Sequence, residues 1–200
     1  MDRVLATIAA LAIGPRPRAM RTDIDAGLDH GLDAAAIREI LVQTALYTGF
    51  STADETLPIL ADSLDQRHIA FPSDPPENTP LEELTRRGNE LMKTLHAQRA
   101  GLGYAAPDKP VTGALYASAI QYGYGEIWIR LGLDQRQRAL VAVAAFTALR
   151  LPEQVAKFAQ SALNVGATKT EIIEAIIQTA PYTGFLFALN ALGALSSTFD

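Results

Sequence analysis

Glu39, Gln43 and Tyr47 follow one another at intervals of four, and Glu174, Gln178 and Tyr182 repeat those intervals. On an α-helix this spacing sets a carboxylate, an amide and a phenol in one stripe on one face. Such a stripe can line a pocket, with the tyrosine donating a proton, the glutamine orienting a carbonyl and the glutamate held as acid or base. It can equally be a hydrogen-bonded ladder between packed helices, with Gly49 and Gly184 permitting the turn beyond it. A second group of candidates is Tyr116, Tyr122, Tyr124 and Trp128, with Glu126 and Arg130 at i, i+4 among them. An aromatic wall beside one cation and one carboxylate suits a small acidic substrate. The same Glu–Arg spacing also makes an ordinary surface salt bridge. Arg3 and Arg138 complete the set. Either guanidinium can grip a carboxylate bidentately, or tie a helix start to a neighbour's carbonyls.

The two stripes belong to two copies of one longer pattern. Residues 3–62 laid over 138–197 without a gap are identical at 19 of 60 positions, including QTALYTGF (43–50) against QTAPYTGF (178–185). An ungapped match of that length reads as a duplicated structural unit. Pro181 replaces Leu46 inside the octapeptide and frees the carbonyl of Ile177; it either kinks the helix and re-aims Tyr182, or is a tolerated proline of the last turn. If one copy is active, the second is the better candidate.

Almost the whole chain has helical periodicity, with apolar residues recurring at three and four. The expected helices are 3–13, 18–30, 34–48, 51–65, 80–99, 112–131, 135–149, 153–165, 169–183 and 186–198. Thr79-Pro80-Leu81-Glu82 and Thr168-Lys169-Thr170-Glu171 read as capping boxes, Asp33 as an N-cap, and Gly31 and Gly166 as helix ends. His30 reads as a helix cap, and His68 and His96 carry no functional signal. The expected organisation is a first unit over 1–66, a proline-rich linker over 67–79 and a second unit over 80–200 that includes lead-in helices; a further loop falls at 101–111. The last helix, FLFALNALGALSSTF, is apolar around most of its circumference, so a homo-oligomer is expected to cover it.

Composition removes several function classes. The chain of 200 residues carries a net charge of −5 with no basic cluster, which argues against nucleic acid. It has no cysteine and three histidines without ligand spacing, so neither thiol chemistry nor a metal site is expected. No apolar run approaches a membrane span. The apolar start MDRVLATIAALAIGPRP resembles a short secretory segment, but its counterpart at 138–148 lies mid-chain and must belong to the fold. A cytoplasmic protein is expected.

The runs YGEIWIRLGLD, LGLDQRQRALVAVAAFTAL and QSALNVGATKTEIIEAIIQTAPYTGFLFALNAL resemble the carboxymuconolactone decarboxylase and AhpD-like family. The resemblance is strong over 116–199 and extends through the copy to 3–62. It implies an all-α AhpD-like fold and cyclic oligomers, here a trimer or hexamer. The family's peroxidase branch uses a Glu, a Cys-x-x-Cys pair and a His. Those positions fall on Ala139, Leu151, Gln154 and Phe158 in one copy, and on Val4, Arg16, Ala19 and Asp23 in the other. Without a thiolate to attack peroxide, that route is excluded. The decarboxylase branch has a histidine at the position of Phe158 and an imidazole or glutamine at that of Gln178. Asp23 is the ionisable counterpart of Phe158.

The resemblance therefore implies an enzyme that needs no cofactor and acts on a small carboxylated lactone or keto acid by decarboxylation or proton transfer. The expected catalytic residues are Tyr182, Gln178, Glu174 and Glu126. The expected substrate-binding residues are Arg138, Arg130, Trp128, Tyr124 and Phe158. The alternative is an inert ligand-binding or assembly protein that keeps the scaffold.

Overall fold

A computed structural model of the chain describes residues 2–73, 78–101 and 110–199. Residues 74–77 of the expected linker and 102–109 of the expected loop lie outside them. The fold is all-α, with no strand among the described residues. The helices are α1 (Asp2–Ala12), α2 (Pro17–Asp29), α3 (Ala34–Thr48), α4 (Ser51–Asp65), α5 (Leu81–His96), α6 (Gly113–Ser118), α7 (Gln135–Ala148), α8 (Pro152–Asn164), α9 (Lys169–Thr183) and α10 (Phe185–Phe199). The bounds of α2 and α8 differ by 135 at both ends, as do those of α3 and α9.

The chain divides into two compact units, Met1–Ser73 with Leu131–Asp200, and Asp74–Arg130. The first holds both copies. At its centre lie α1, buried from Leu5 through Ala12, and α7, buried from Arg138 through Ala148. These two helices are alanine-rich, so they approach each other closely, and each is covered on more than one side: α1 packs on α2, α3, α7 and α9, and α7 on α1, α3, α8 and α9. Their N-terminal ends meet at Arg136, which donates to Asp2 Oδ2 (3.0 Å) and Glu171 Oε1 (2.7 Å). Their C-terminal ends meet around Ile13, Ala148 and Thr183 of α9. Thus α1, α7 and α9 run in the same direction.

The caps follow local chemistry. Asp33 accepts from the Ala35 N–H, Thr168 and Glu171 form a reciprocal box, and Gly31 and Gly166 take the left-handed conformation at φ 81° and 94°. His30 Nδ1 is 2.8 Å from the Ala26 carbonyl oxygen at the end of α2. A further box, between Asp134 and Gln137, starts α7. α9 continues through Pro181 to Thr183.

Unit Asp74–Arg130 departs from expectation. The continuous helix expected over 112–131 is α6, a π-turn at Ala119–Tyr124 and a 3-10 turn at Ile127–Ile129. The Gly125 N–H reaches back five residues to the Ile120 carbonyl (2.8 Å). The cause is a backbone contact with α5. A Cβ on Gly125 would lie 2.1 Å from the Leu84 carbonyl oxygen, and one on Gly88 would lie 2.2 Å from that of Ile120. Tertiary contact wins over helical continuity here. The helix expected over 80–99 stops at His96, with Pro80 as its N-cap and a 3-10 turn at Ala97–Gly101. No helix of the described residues is long and apolar enough to cross a membrane.

Candidate functional site

The stripe of the first copy is a closed ladder. Glu39 and Gln43 are fully buried on α3, and Arg138 of α7 is fully buried opposite them. Arg138 Nη2 donates to Glu39 Oε2 (2.9 Å) and Nη1 to Gln43 Oε1 (3.2 Å). Gln43 Nε2 lies 2.8 Å from the Arg138 carbonyl oxygen and 3.1 Å from Tyr47 Oη. The second oxygen of Glu39 takes a 2.6 Å hydrogen bond from Arg38, whose Nη1 also reaches the Pro72 carbonyl at 3.1 Å. A fully desolvated carboxylate is tolerable only with such complete pairing. Gly132 packs against Glu39 on a backbone of φ 105°, where a Cβ would lie 3.1 Å from the glutamate Cγ. At the far end Tyr47 packs in tilted contact with Phe146 (centroids 4.6 Å apart), which packs likewise on the buried Phe158 (4.8 Å). Arg38 carries no signal in the sequence, because neighbours in sequence leave a helix in different directions and only the fold bends this one back.

The stripe of the second copy is open. Arg3 Nη2 lies 3.1 Å from Glu174 Oε2, and the two side chains are 69% and 35% exposed. The copies therefore exchange arginines: Arg138 crosses to Glu39 and Arg3 crosses to Glu174. What differs is the cover. Ile173 stands where Arg38 stands in the first copy. Gln178 is half-buried where Gln43 is fully buried, while Tyr182 and Tyr47 are both half-buried. Burial raises the Tyr182 phenol above its ordinary pKa, and the Asp23 carboxylate beside it adds to the shift. Asp23 Oδ2 is itself buried without a hydrogen-bond partner. Where the first copy meets an aromatic ring at Phe158, the second therefore meets a carboxylate. At a rise of 1.5 Å per residue, Gln178 stands about 6 Å along α9 from both Glu174 and Tyr182.

The remaining candidates lie in unit Asp74–Arg130. Trp128 is buried, and Tyr124 packs 5.8 Å from it. Tyr124 Oη lies 3.1 Å from His96 Nε2. Burial, with Arg99 nearby, lowers the His96 pKa to about 4, so this ring is neutral at physiological pH. Glu126 precedes the 3-10 turn and Arg130 follows it in extended backbone (φ −63°, ψ 151°). They are thus not the i, i+4 helical neighbours that the sequence spacing suggests. Among the described residues no group of three or more His, Asp and Glu could hold a metal ion.

Residues 113–197 match the carboxymuconolactone decarboxylase family. Over 71 residues the chain is 35% identical to a 4-carboxymuconolactone decarboxylase of Acinetobacter baylyi, covering 36% of this chain and 52% of that protein. Over 80 residues it is 28% identical to a nitrosuccinic acid decarboxylase of Metarhizium robertsii, covering 40% and 56%. Over 122 residues it is 28% identical to an uncharacterized 15.0 kDa protein of Paracoccus denitrificans, covering 60% and 90%. The chain spans about half the length of the two decarboxylases it matches.

Proposed function

We propose, from the premise that residues 113–197 place this chain in the carboxymuconolactone decarboxylase family, that it decarboxylates, or moves a proton on, a small carboxylated lactone or keto acid. The observation that carries this reading is the contrast between the stripes: in one Glu39 and Gln43 are fully buried under Arg38 and Arg138, in the other Glu174 and Gln178 are partly exposed. In decarboxylation the C–C bond to the carboxylate breaks, CO₂ leaves and the electron pair enters the substrate's own carbonyl. Gln178 holds the oxygen that gains charge, and Tyr182 gives the proton to carbon. A phenol whose pKa is raised by burial and by Asp23 stays protonated until that moment. Arg3, paired with Glu174 one turn from Gln178, is the cation open to the substrate carboxylate. In this reading Arg138 holds the scaffold, Glu174 positions Arg3, and Phe158 backs the sealed stripe. Glu126, Arg130, Tyr124 and Trp128 take no step in it. A homo-oligomer belongs to the same reading, with a second copy covering Phe185, Leu186 and Leu189, which are 72%, 71% and 59% exposed.

The test is CO₂ release from a panel of lactone carboxylates and keto acids. Tyr182→Phe should lower kcat by about 10²–10⁴-fold, whereas Tyr47→Phe, its counterpart in the sealed stripe, should leave kcat within about twofold. Unchanged turnover in Tyr182→Phe overturns the assignment. The packing of Phe158 on Phe146, in place of an ionisable group, favours a second reading: an inert ligand-binding scaffold. Ligand-induced stabilisation without turnover of any member of the panel would select it.

A further inference from the structure

At the joined C-terminal ends of α1, α7 and α9 lies a cleft of about 330 Å³ lined by Ile13, Gly14, Arg16, Leu149, Arg150 and Thr183 among others. Among the described residues no carboxylate lines it. We propose that this cleft is a binding site for a small organic dianion, held between the guanidinium groups of Arg16 and Arg150.

The two arginines arrive by different routes. At the 135-residue offset Arg16 corresponds to Leu151 and Arg150 to Pro15, so the copies supply one cation each from non-equivalent positions. Arg16 folds back over its own turn. A Cβ on Gly14 would lie 2.7 Å from Arg16 Nη1, so the guanidinium occupies the space that a side chain at position 14 would need. Arg150 follows the end of α7 in the left-handed conformation, φ 63°, where glycine is the ordinary choice. Keeping a long cationic side chain there, on strained backbone, points to a use for the side chain. Its Cζ lies 4.0 Å from the centroid of the Phe187 ring. Stacking of this kind immobilises a guanidinium and leaves its N–H edge available, so part of the ordering cost of binding is met in advance.

Neither helix capping nor simple solvation accounts for the pair as well. Arginines near helix C-termini often cap carbonyls. Here the backbone supplies that service: Leu149, Arg150 and Leu151 N–H groups bond Ala145, Thr147 and Phe146, and the Gly184 N–H bonds Ala180. Among the described residues neither guanidinium has a carboxylate or carbonyl partner. Two solvated surface arginines would also lack partners, but they would not converge on one concavity from separate helix ends. Two cations bordering one cleft suit two carboxylates, or one carboxylate held by both, better than a single tetrahedral anion.

The inference is independent of the proposed reaction, because binding is read without turnover. Titration calorimetry of the full chain with succinate, succinamide and inorganic phosphate tests it. Succinate should bind saturably and succinamide should not. Arg16→Gln and Arg150→Gln should each weaken the dissociation constant at least tenfold. The double variant should abolish the heat, and Arg18→Gln, an exposed neighbour, should not change it. Circular dichroism checks that the double variant is folded. No saturable succinate binding, an unchanged constant in the folded double variant, or tighter binding of phosphate than of succinate each overturns the proposal.

Discussion

Two arginines at equivalent positions, Arg3 and Arg138, make the same kind of bond at similar length, yet their energetic roles should differ widely. Arg138 and Glu39 are both fully buried, so Arg138→Ala removes one of the two guanidinium groups paired with this carboxylate, strips Gln43 Oε1 of a donor and should cost about 3–5 kcal/mol. The Arg3–Glu174 pair is 69% and 35% exposed, and Arg3→Ala should cost under about 1 kcal/mol. Urea denaturation of the two variants checks this; equal losses would mean that the burial contrast carries no weight. The stripe itself was legible from fours along the helix, since Gln43 to Tyr47 is a direct 3.1 Å contact. Its partner was not: Arg138 lies 95 residues from Gln43 in the chain, and no local periodicity links them.

Several helix ends obeyed their short-range signals, because a cap is satisfied by atoms within three or four residues of it; the box read at Thr79 did not, since Pro80 is the N-cap of α5 and no side-chain cap bond forms there. Asp33, Thr168 and Gly166 all act where the sequence places them. The segment 112–131 did not, because its path depends on contact with α5. Gly125→Ala and Gly88→Ala should each cost about 2–3 kcal/mol or more by overpacking, since both new Cβ atoms would fall within 2.2 Å of a backbone oxygen. Gly123→Ala meets nothing within 4 Å and should change stability by less than about 1 kcal/mol. Thermal denaturation of the three variants separates close approach from mere loss of glycine. Equal effects at all three would mean that packing on α5 does not break the helix.

Over the whole molecule, stability should concentrate where burial is continuous. α1 is buried from Leu5 to Ala12 and α7 from Arg138 to Ala148, whereas α6 has no buried residue. Hydrogen exchange should therefore find the amides of α1 and α7 opening only with global unfolding, and those of α6 exchanging at least about 100-fold faster. Exchange of α1 at the rate of α6 would contradict a core built on the first helix. The N-terminal segment, apolar enough to suggest a secretory leader, is thus in the centre of unit Met1–Ser73 with Leu131–Asp200.

From the sequence alone came the helical class, the offset of 135 between the two copies, the caps, the absence of thiol chemistry and the two stripes. Each is a property of residue type or of spacing within a few turns, so no knowledge of the fold is needed to read it. The tertiary structure decided which stripe is sealed and which is open. It also decided that the copies exchange their arginines, and that Arg16 and Arg150 border one cleft. Those outcomes depend on what lies across from a side chain, and in a helical protein that is set by packing between segments about 100 residues or more apart, where intervals along one helix carry no information.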